Sequence, residues 1–178
     1  METKTGCYSS GGLGPKVRFR GDFDIQVDAQ VDFLEDIHDM DQVMFLYALD
    51  KSNELDDEKV EFVAIGVLKE AGKPALLYSG HQEKGRWSGM NRIEMNGFRG
   101  TFRVMRIGKN FTTLYKNEGK AEWKRVGTVT RTTHDIVIVF GAANFVSART
   151  SVGATRSFTA SFDNFKINAA QNIIESEI

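Results

Sequence analysis

Over the stretch FDIQVDAQVDFL, Phe23, Ile25, Val27, Ala29, Val31 and Phe33 fall on one parity and Asp24, Gln26, Asp28, Gln30 and Asp32 on the other. A period of two predicts a strand with one dry and one wet face, about 40 Å long at roughly 3.3 Å per residue. QVMFLYALD (42–50) and FVAIGVL (62–68) are apolar on both parities. That pattern predicts two mid-sheet strands with both faces covered. Shorter runs follow at 75–79, 91–95, 101–107, 111–116, 122–126, 135–142 and 158–167, giving about ten strands. Turn residues separate them: Gly72 with Pro74, Gly80, Gly85, Asn96-Gly97, Gly108, Asn117 to Gly119, and Gly153. No segment before the C-terminus keeps a 3.6-residue apolar period. Only AAQNIIESEI (169–178) reads as a helix, a tail after a single domain over 1–168.

Basic residues lie among aromatics in FRVMRIGKNFTTLYKNEGKAEWKRVG (102–127), which raises the question of a nucleic-acid surface. Turns at 108–110 and 117–120 divide this stretch into a three-strand meander. Most of its aromatics then fall on the dry parity, away from the bases, whereas single-strand binding needs both on one face. The net charge of −1 also argues against nucleic acid. Residues 1–70 hold sixteen acids and seven bases, and residues 71–178 hold eight acids and sixteen bases. In an interleaved sheet protein such halves become neighbours, so complementary surface charge is expected. The acidic NELDDEKVE (53–61) reads as a solvated loop.

A chain of 178 residues can bury one substantial core without staples. The single Cys7 makes no internal disulfide, and no apolar run is long enough to span a bilayer. The first twelve residues contain no signal-peptide core, so the chain is cytoplasmic unless a leader was removed, in which case it is extracellular or periplasmic. Sequence alone leaves the compartment open.

Three segments together resemble the concanavalin A-like jelly-roll superfamily, which includes laminin-G-type domains, family 16 glucanases and carbohydrate-associated modules. RFRGDFDIQVDAQV (18–31) looks like the early long strand entered through a glycine. The 102–127 meander resembles the succession of arginine strand, glycine turn, aromatic strand and tryptophan strand. ASFDNFKI (160–167) looks like the closing strand. The resemblance implies an all-β, antiparallel two-sheet β-sandwich of jelly-roll type. The same fold hosts lectins, hydrolases, lyases and inert modules.

Candidate chemistry is sparse. Asp22, Asp24 and Asp28 alternate as in a family 16 glycosidase strand, but Gln26 interrupts them and no glutamate is present. Arg92-Ile93-Glu94, Ile37-His38 and Tyr115-Lys116 resemble pieces of an alginate-lyase site, with the histidine on the wrong side of the arginine motif and Asn96 where a second arginine belongs. Neither set points to catalysis, so the expected function is a non-catalytic carbohydrate-associated or interaction module. A polysaccharide hydrolase or lyase is the alternative. The third reading is a structural domain that forms homo-oligomers, with NIIESEI as an apolar contact. For a glycan partner, the expected surface is the concave face with SGHQEKGRWSGMNR (79–92), read as a loop offering Trp87 as stacking platform, and with His81, Arg92 and Arg103 as donors. Trp123 reads as a packing residue, and His38 and His134 as solvated loop histidines. The resemblance also implies a structural Ca²⁺ held by Asp163 and by backbone at Gly21. The alternation Phe158, Ala160, Phe162 slips to Phe165, Ile167, which predicts a β-bulge at Asp163-Asn164.

Overall fold

The computed structural model describes residues 8–33, 40–50, 60–131, 134–146 and 157–175. Cys7, His38, the acidic stretch 53–59 and Gly153 lie outside the described residues. Eleven strands follow one another: β1 (Tyr8–Leu13), β2 (Val17–Asp32), β3 (Met40–Asp50), β4 (Glu61–Lys69), β5 (Ala75–Glu83), β6 (Arg86–Glu94), β7 (Phe98–Ile107), β8 (Asn110–Asn117), β9 (Lys124–Thr130), β10 (Ile136–Val146) and β11 (Thr159–Glu175). All pairings between them are antiparallel.

The strands form a jelly-roll sandwich of two sheets. One runs β1-β10-β3-β4-β5-β6 and the other β11-β2-β7-β8-β9. Only Ile136 with Phe19 and Val137 with Arg18 join them at a corner. There the chain leaves the edge of β10, bends at Gly14 and Pro15, and enters the second sheet as β2. A Cβ on Gly14 would lie 2.2 Å from the Ile138 carbonyl oxygen, so the bend requires glycine.

The dry parity of β2 behaves as its pattern demands. Phe23, Ile25, Val27, Ala29 and Val31 are all buried. They face Phe102 and Val104 of β7, Met44 and Leu46 of β3, Ile65 and Val67 of β4, and Ile138 of β10, in one core between the sheets. Each fully buried side chain of this size contributes about 1.5–3 kcal/mol. Two buried hydroxyls cross the core: Ser79 of β5 and Thr113 of β8 are 2.7 Å apart, and Ser79 donates to the Ala64 carbonyl at 3.1 Å.

Two expectations are corrected. Residues 169–175 are strand, not helix, and continue β11 without a break from residue 168. The early half of β2 needs a partner on this edge, and Ala169 to Glu175 supply it opposite Asp24 to Val17. Residues 79–92 are not a loop. They are the β5–β6 hairpin, turning only at Lys84-Gly85, whose φ values are 49° and 71°. The bulge at Asp163-Asn164 is present as a register shift between Asp163 and Lys166, with Asn164 at φ 50°. Further shifts at Ile167/Ala169 and Ala170/Asn172 break up the free edge of β11. Such irregularity protects a long edge from pairing with other chains.

The charge asymmetry resolves into contacts across the fold. The Arg103 guanidinium grips Asp24 with two hydrogen bonds, Nε to Oδ1 at 2.8 Å and Nη2 to Oδ2. Arg131, largely buried, pairs with Glu61 at 2.8 Å and Glu83 at 2.7 Å, and His134 Nδ1 lies 3.0 Å from Asp50.

Candidate functional site

The outer face of the first sheet is unusual for a surface. Val43, Phe45 and Tyr47 of β3, Phe62 and Leu68 of β4, Tyr78 of β5 and Val139 of β10 form a second apolar cluster on the side away from the core. Strand parity places them there: while Met44, Leu46, Val63 and Ile65 point inward, their neighbours point out. The aromatic rings are arranged in sequence. Phe45 stacks on Tyr47 at 4.0 Å between centroids and Tyr47 on Phe62 at 4.5 Å. Trp87 of β6 completes the row, 5.9 Å from Phe62 and edge-on to Tyr78 at 5.8 Å.

Glycines make this paving possible. Tyr78 lies opposite Gly66 in register, and a Cβ on Gly66 would meet the Tyr78 hydroxyl at 2.8 Å and the Met44 carbonyl oxygen at 2.2 Å. The Trp87 ring covers Gly80, whose added Cβ would lie 2.2 Å from Cζ2. Two aromatic rings thus lie close over positions that have no side chain. Trp87 remains 43% exposed, as the outermost ring of the row.

A groove of about 170 Å³ opens between these rings, lined by Val43, Tyr47, Phe62, Leu68, Leu76, Tyr78, Trp87 and Arg92 together with Ser79 and Gly89. Among the described residues its lining has no carboxylate and no histidine. Its side-chain polar groups, among the described residues, are the Arg92 guanidinium, the Trp87 indole N–H and two phenols, since the Ser79 hydroxyl is turned into the core. Burial, and then the neighbouring Tyr47, which also hydrogen-bonds it, push the Tyr78 phenol well above its ordinary pKa, so it stays protonated.

The structure brings two of the four expected sugar contacts together. Trp87 and Arg92 line one groove, with β5 partners Gln82 and Tyr78, about 13 Å apart along the strand. His81 also sits on β5, but with the inward parity, opposite Val63. Its Nδ1 is buried without a hydrogen-bond partner. Burial and the nearby Arg131 charge hold its pKa below the usual imidazole value, against the opposing pull of Glu83. Arg103 belongs to the other sheet, where it is engaged by Asp24 and lies 5.1 Å from the Trp123 ring centroid, with Lys116 at 4.9 Å from the same ring. Trp123 is therefore a packing partner for cations.

The two expected calcium positions are separate. Asp163 pairs in register with Asp28, and its Oδ1 accepts from the Asn164 backbone N–H at 2.7 Å. Gly21, at φ 78°, lies seven residues along β2 from Asp28, roughly 23 Å at the ordinary strand rise, packed against Gln171. Among the described residues no three His, Cys, Asp or Glu side chains gather into a group fit to hold a metal ion.

A larger groove of about 540 Å³ crosses the outer face of the second sheet. Some of its side chains are paired among themselves: Thr101 donates to Asp28 at 2.6 Å, Asn164 to Asp28 at 3.0 Å, and Arg99 lies 3.7 Å from Glu118. Reading the sequence missed Tyr47, Phe62 and Tyr78, because their strands are apolar on both parities and look doubly covered. The available signal was glycine opposite aromatic, Gly66 with Tyr78.

No protein-family model matches the sequence, and no curated protein matches it. Solved structures do resemble the fold. A functionally unknown protein from Saccharomyces cerevisiae superposes with a TM-score of 0.53 at 17% identity, over 94% of this chain and 76% of that one. The GH43 protein BlXynB from Bacillus licheniformis gives 0.54 at 14% identity, over 94% of this chain and 33% of that one. The alginate lyase from Klebsiella pneumoniae gives 0.52 at 15%, over 84% and 60%. The chain thus spans a third of the GH43 protein and three fifths of the lyase, and at these identities the likeness is one of architecture.

Proposed function

We propose that this protein is a non-catalytic carbohydrate-binding module of concanavalin A-like type, which takes a glycan on the outer face of the first sheet. The observation that carries this reading is the row of rings Phe45, Tyr47, Phe62 and Trp87, ending in a half-exposed indole that lines the same groove as Arg92. A sugar ring has an apolar face that stacks on an aromatic plane and a hydroxyl edge that needs hydrogen bonds. Trp87 offers the plane and Arg92 the donors. Hydrolysis needs two carboxyl groups about 5–5.5 Å or 6.5–9.5 Å apart across the bond to be cut. The described lining of this groove has none, which favours binding without cleavage.

A glycan array tests the reading, followed by titration of any hit against Trp87→Ala. Loss of the anchoring ring should weaken binding by about 1–3 kcal/mol, in the range of aromatic hot spots. An array without hits at high micromolar protein rejects the reading and leaves the aromatic face as a protein contact. Reducing-end release or unsaturated uronate from a bound polysaccharide would instead make the protein an enzyme.

A further inference from the structure

We infer that the glycan taken by this groove is anionic, with a carboxylate or sulfate seated on Arg92. This deepens the glycan reading above and rests on it. Among the described residues Arg92 makes no hydrogen bond and no ion pair, although it lines the groove. Arg103 is held by Asp24, Arg20 by Asp135 and Arg131 by Glu61 and Glu83. Arg86 and Arg125 are exposed and equally unpaired among the described residues, but neither lines this groove. Arg92 is the charged fork that does.

The chemistry of the lining points the same way. A neutral sugar hydroxyl both donates and accepts, so a neutral-sugar site supplies acceptors as well as donors. The side chains here include no carboxylate and no amide, and the Tyr47 and Tyr78 phenols are engaged with each other. A guanidinium has five N–H donors and no acceptor, and its planar geometry matches a carboxylate or sulfate bidentately. Tyr78, opposite Arg92 in register, lowers the polarity on one side of the guanidinium and strengthens that pairing. Glu94, the next outward residue of β6, is not part of the lining and does not pair with Arg92. The separation of Trp87 from Arg92 suits an oligosaccharide, with one ring on the indole and an acidic group on another.

The test is an array containing uronate, sulfated and neutral glycans, followed by titrations with matched polymers. These are polygalacturonate against its methyl ester, and dextran sulfate against dextran. Binding should be confined to the anionic member of a pair and fall at least tenfold when the charge is masked. Raising salt from 50 to 500 mM should weaken it. Arg92→Gln should bring anionic binding down to the level of the neutral counterpart, Arg92→Lys should restore part of it, and Glu94→Gln should hold or improve it. The polymer pair that responds distinguishes carboxylate from sulfate. Equal binding of charged and neutral polymers, unchanged in Arg92→Gln but lost in Trp87→Ala, overturns the anionic assignment and leaves the glycan module standing. A silent array overturns both.

Discussion

Replacing Gly80 by alanine tests whether the indole of Trp87 is seated where the sheet has been left bare. The new Cβ would stand 2.2 Å from Cζ2 and 2.4 Å from Cη2 of that ring, and 2.8 Å from the Ser88 carbonyl oxygen. The ring has to leave, and the Ser88 backbone has to shift as well. The ring then loses its pairings with Phe62 and Tyr78, each about 0.5–1.5 kcal/mol beyond area burial. Alanine recovers about 0.5–1 kcal/mol of strand propensity over glycine, so the net loss is about 1–2 kcal/mol. For a chain of this length that is a fall in Tm of about 2–8 °C. In a Trp123→Phe background the emission reports Trp87 alone, and it should shift to the red as the ring enters water. Gly108→Ala is the control: its φ of 59° brings backbone strain of about 1–2 kcal/mol, nothing lies within 4 Å, and the emission should not change. Wild-type melting and emission in Gly80→Ala would refute the seating of the ring on Gly80 and, with it, the preformed platform.

Three further outcomes are expected. Burial raises the pKa of Asp24, but hydrogen bonds from Arg103 and Asn168 outweigh this and hold it below the usual aspartate value. The pair's contribution is therefore present above about pH 4 and lost as pH falls through the lowered folded value. Arg103→Gln should cost about 1 kcal/mol at pH 7 and flatten the acid limb of Tm against pH; an unchanged limb rejects this pairing. Thr113→Val should cost about 1–3 kcal/mol by stranding buried polar groups around Ser79, while Ser79→Ala with Thr113→Val should cost less than the sum of the single changes, as urea unfolding will show. For calcium, melting temperatures in millimolar Ca²⁺ and in excess chelator should agree, because Asp163 and Gly21 stand about 23 Å apart. A rise of several degrees that is blunted by Asp163→Asn would place a Ca²⁺ at Asp163 without Gly21.

The sandwich was legible because alternation is a local signal and most strands carry it. Phe23 to Val31 declare one dry face, and β7 and β8 declare theirs in Phe102, Val104, Phe111 and Tyr115, all buried. The signal failed where strand edges are irregular. Three register shifts in β11 scramble the parity of residues 163–172, so AAQNIIESEI resembles a helix although it pairs with β2 to Glu175. On β6, an edge strand, Arg86, Ser88, Asn91 and Glu94 are exposed on both sides of the sheet, which leaves no dry parity to read. A polar hairpin therefore looked like a loop. The charge asymmetry was read correctly as complementary, since Asp24 meets Arg103 and Glu61 meets Arg131.

The site was half legible, and the reason lies in what each residue type declares by itself. Trp87 and Arg92 are conspicuous in sequence, and the groove does hold both. Arg103 is equally conspicuous, but whether an arginine is free or spent depends on a partner that can lie anywhere along the chain. Here that partner is Asp24 of β2, the strand beside Arg103 and in the other sheet from Trp87. His81 shows the same limit along a single strand. It is one residue from Gln82, which pairs with Trp87, yet parity turns it to the opposite side of the sheet. The residues that give the platform its extent, Tyr47, Phe62 and Tyr78, announce core rather than surface. Their outward position emerges only once Leu46, Val63 and Leu77 are seen to fill the interior. Gly66 and Gly80 carry the complementary half of that information. A glycine inside a strand weakens it unless something must lie close to the backbone, and here two aromatic rings do. The bare positions and the rings are one feature, built from residues on different strands, and that feature is what makes this face a candidate for recognition.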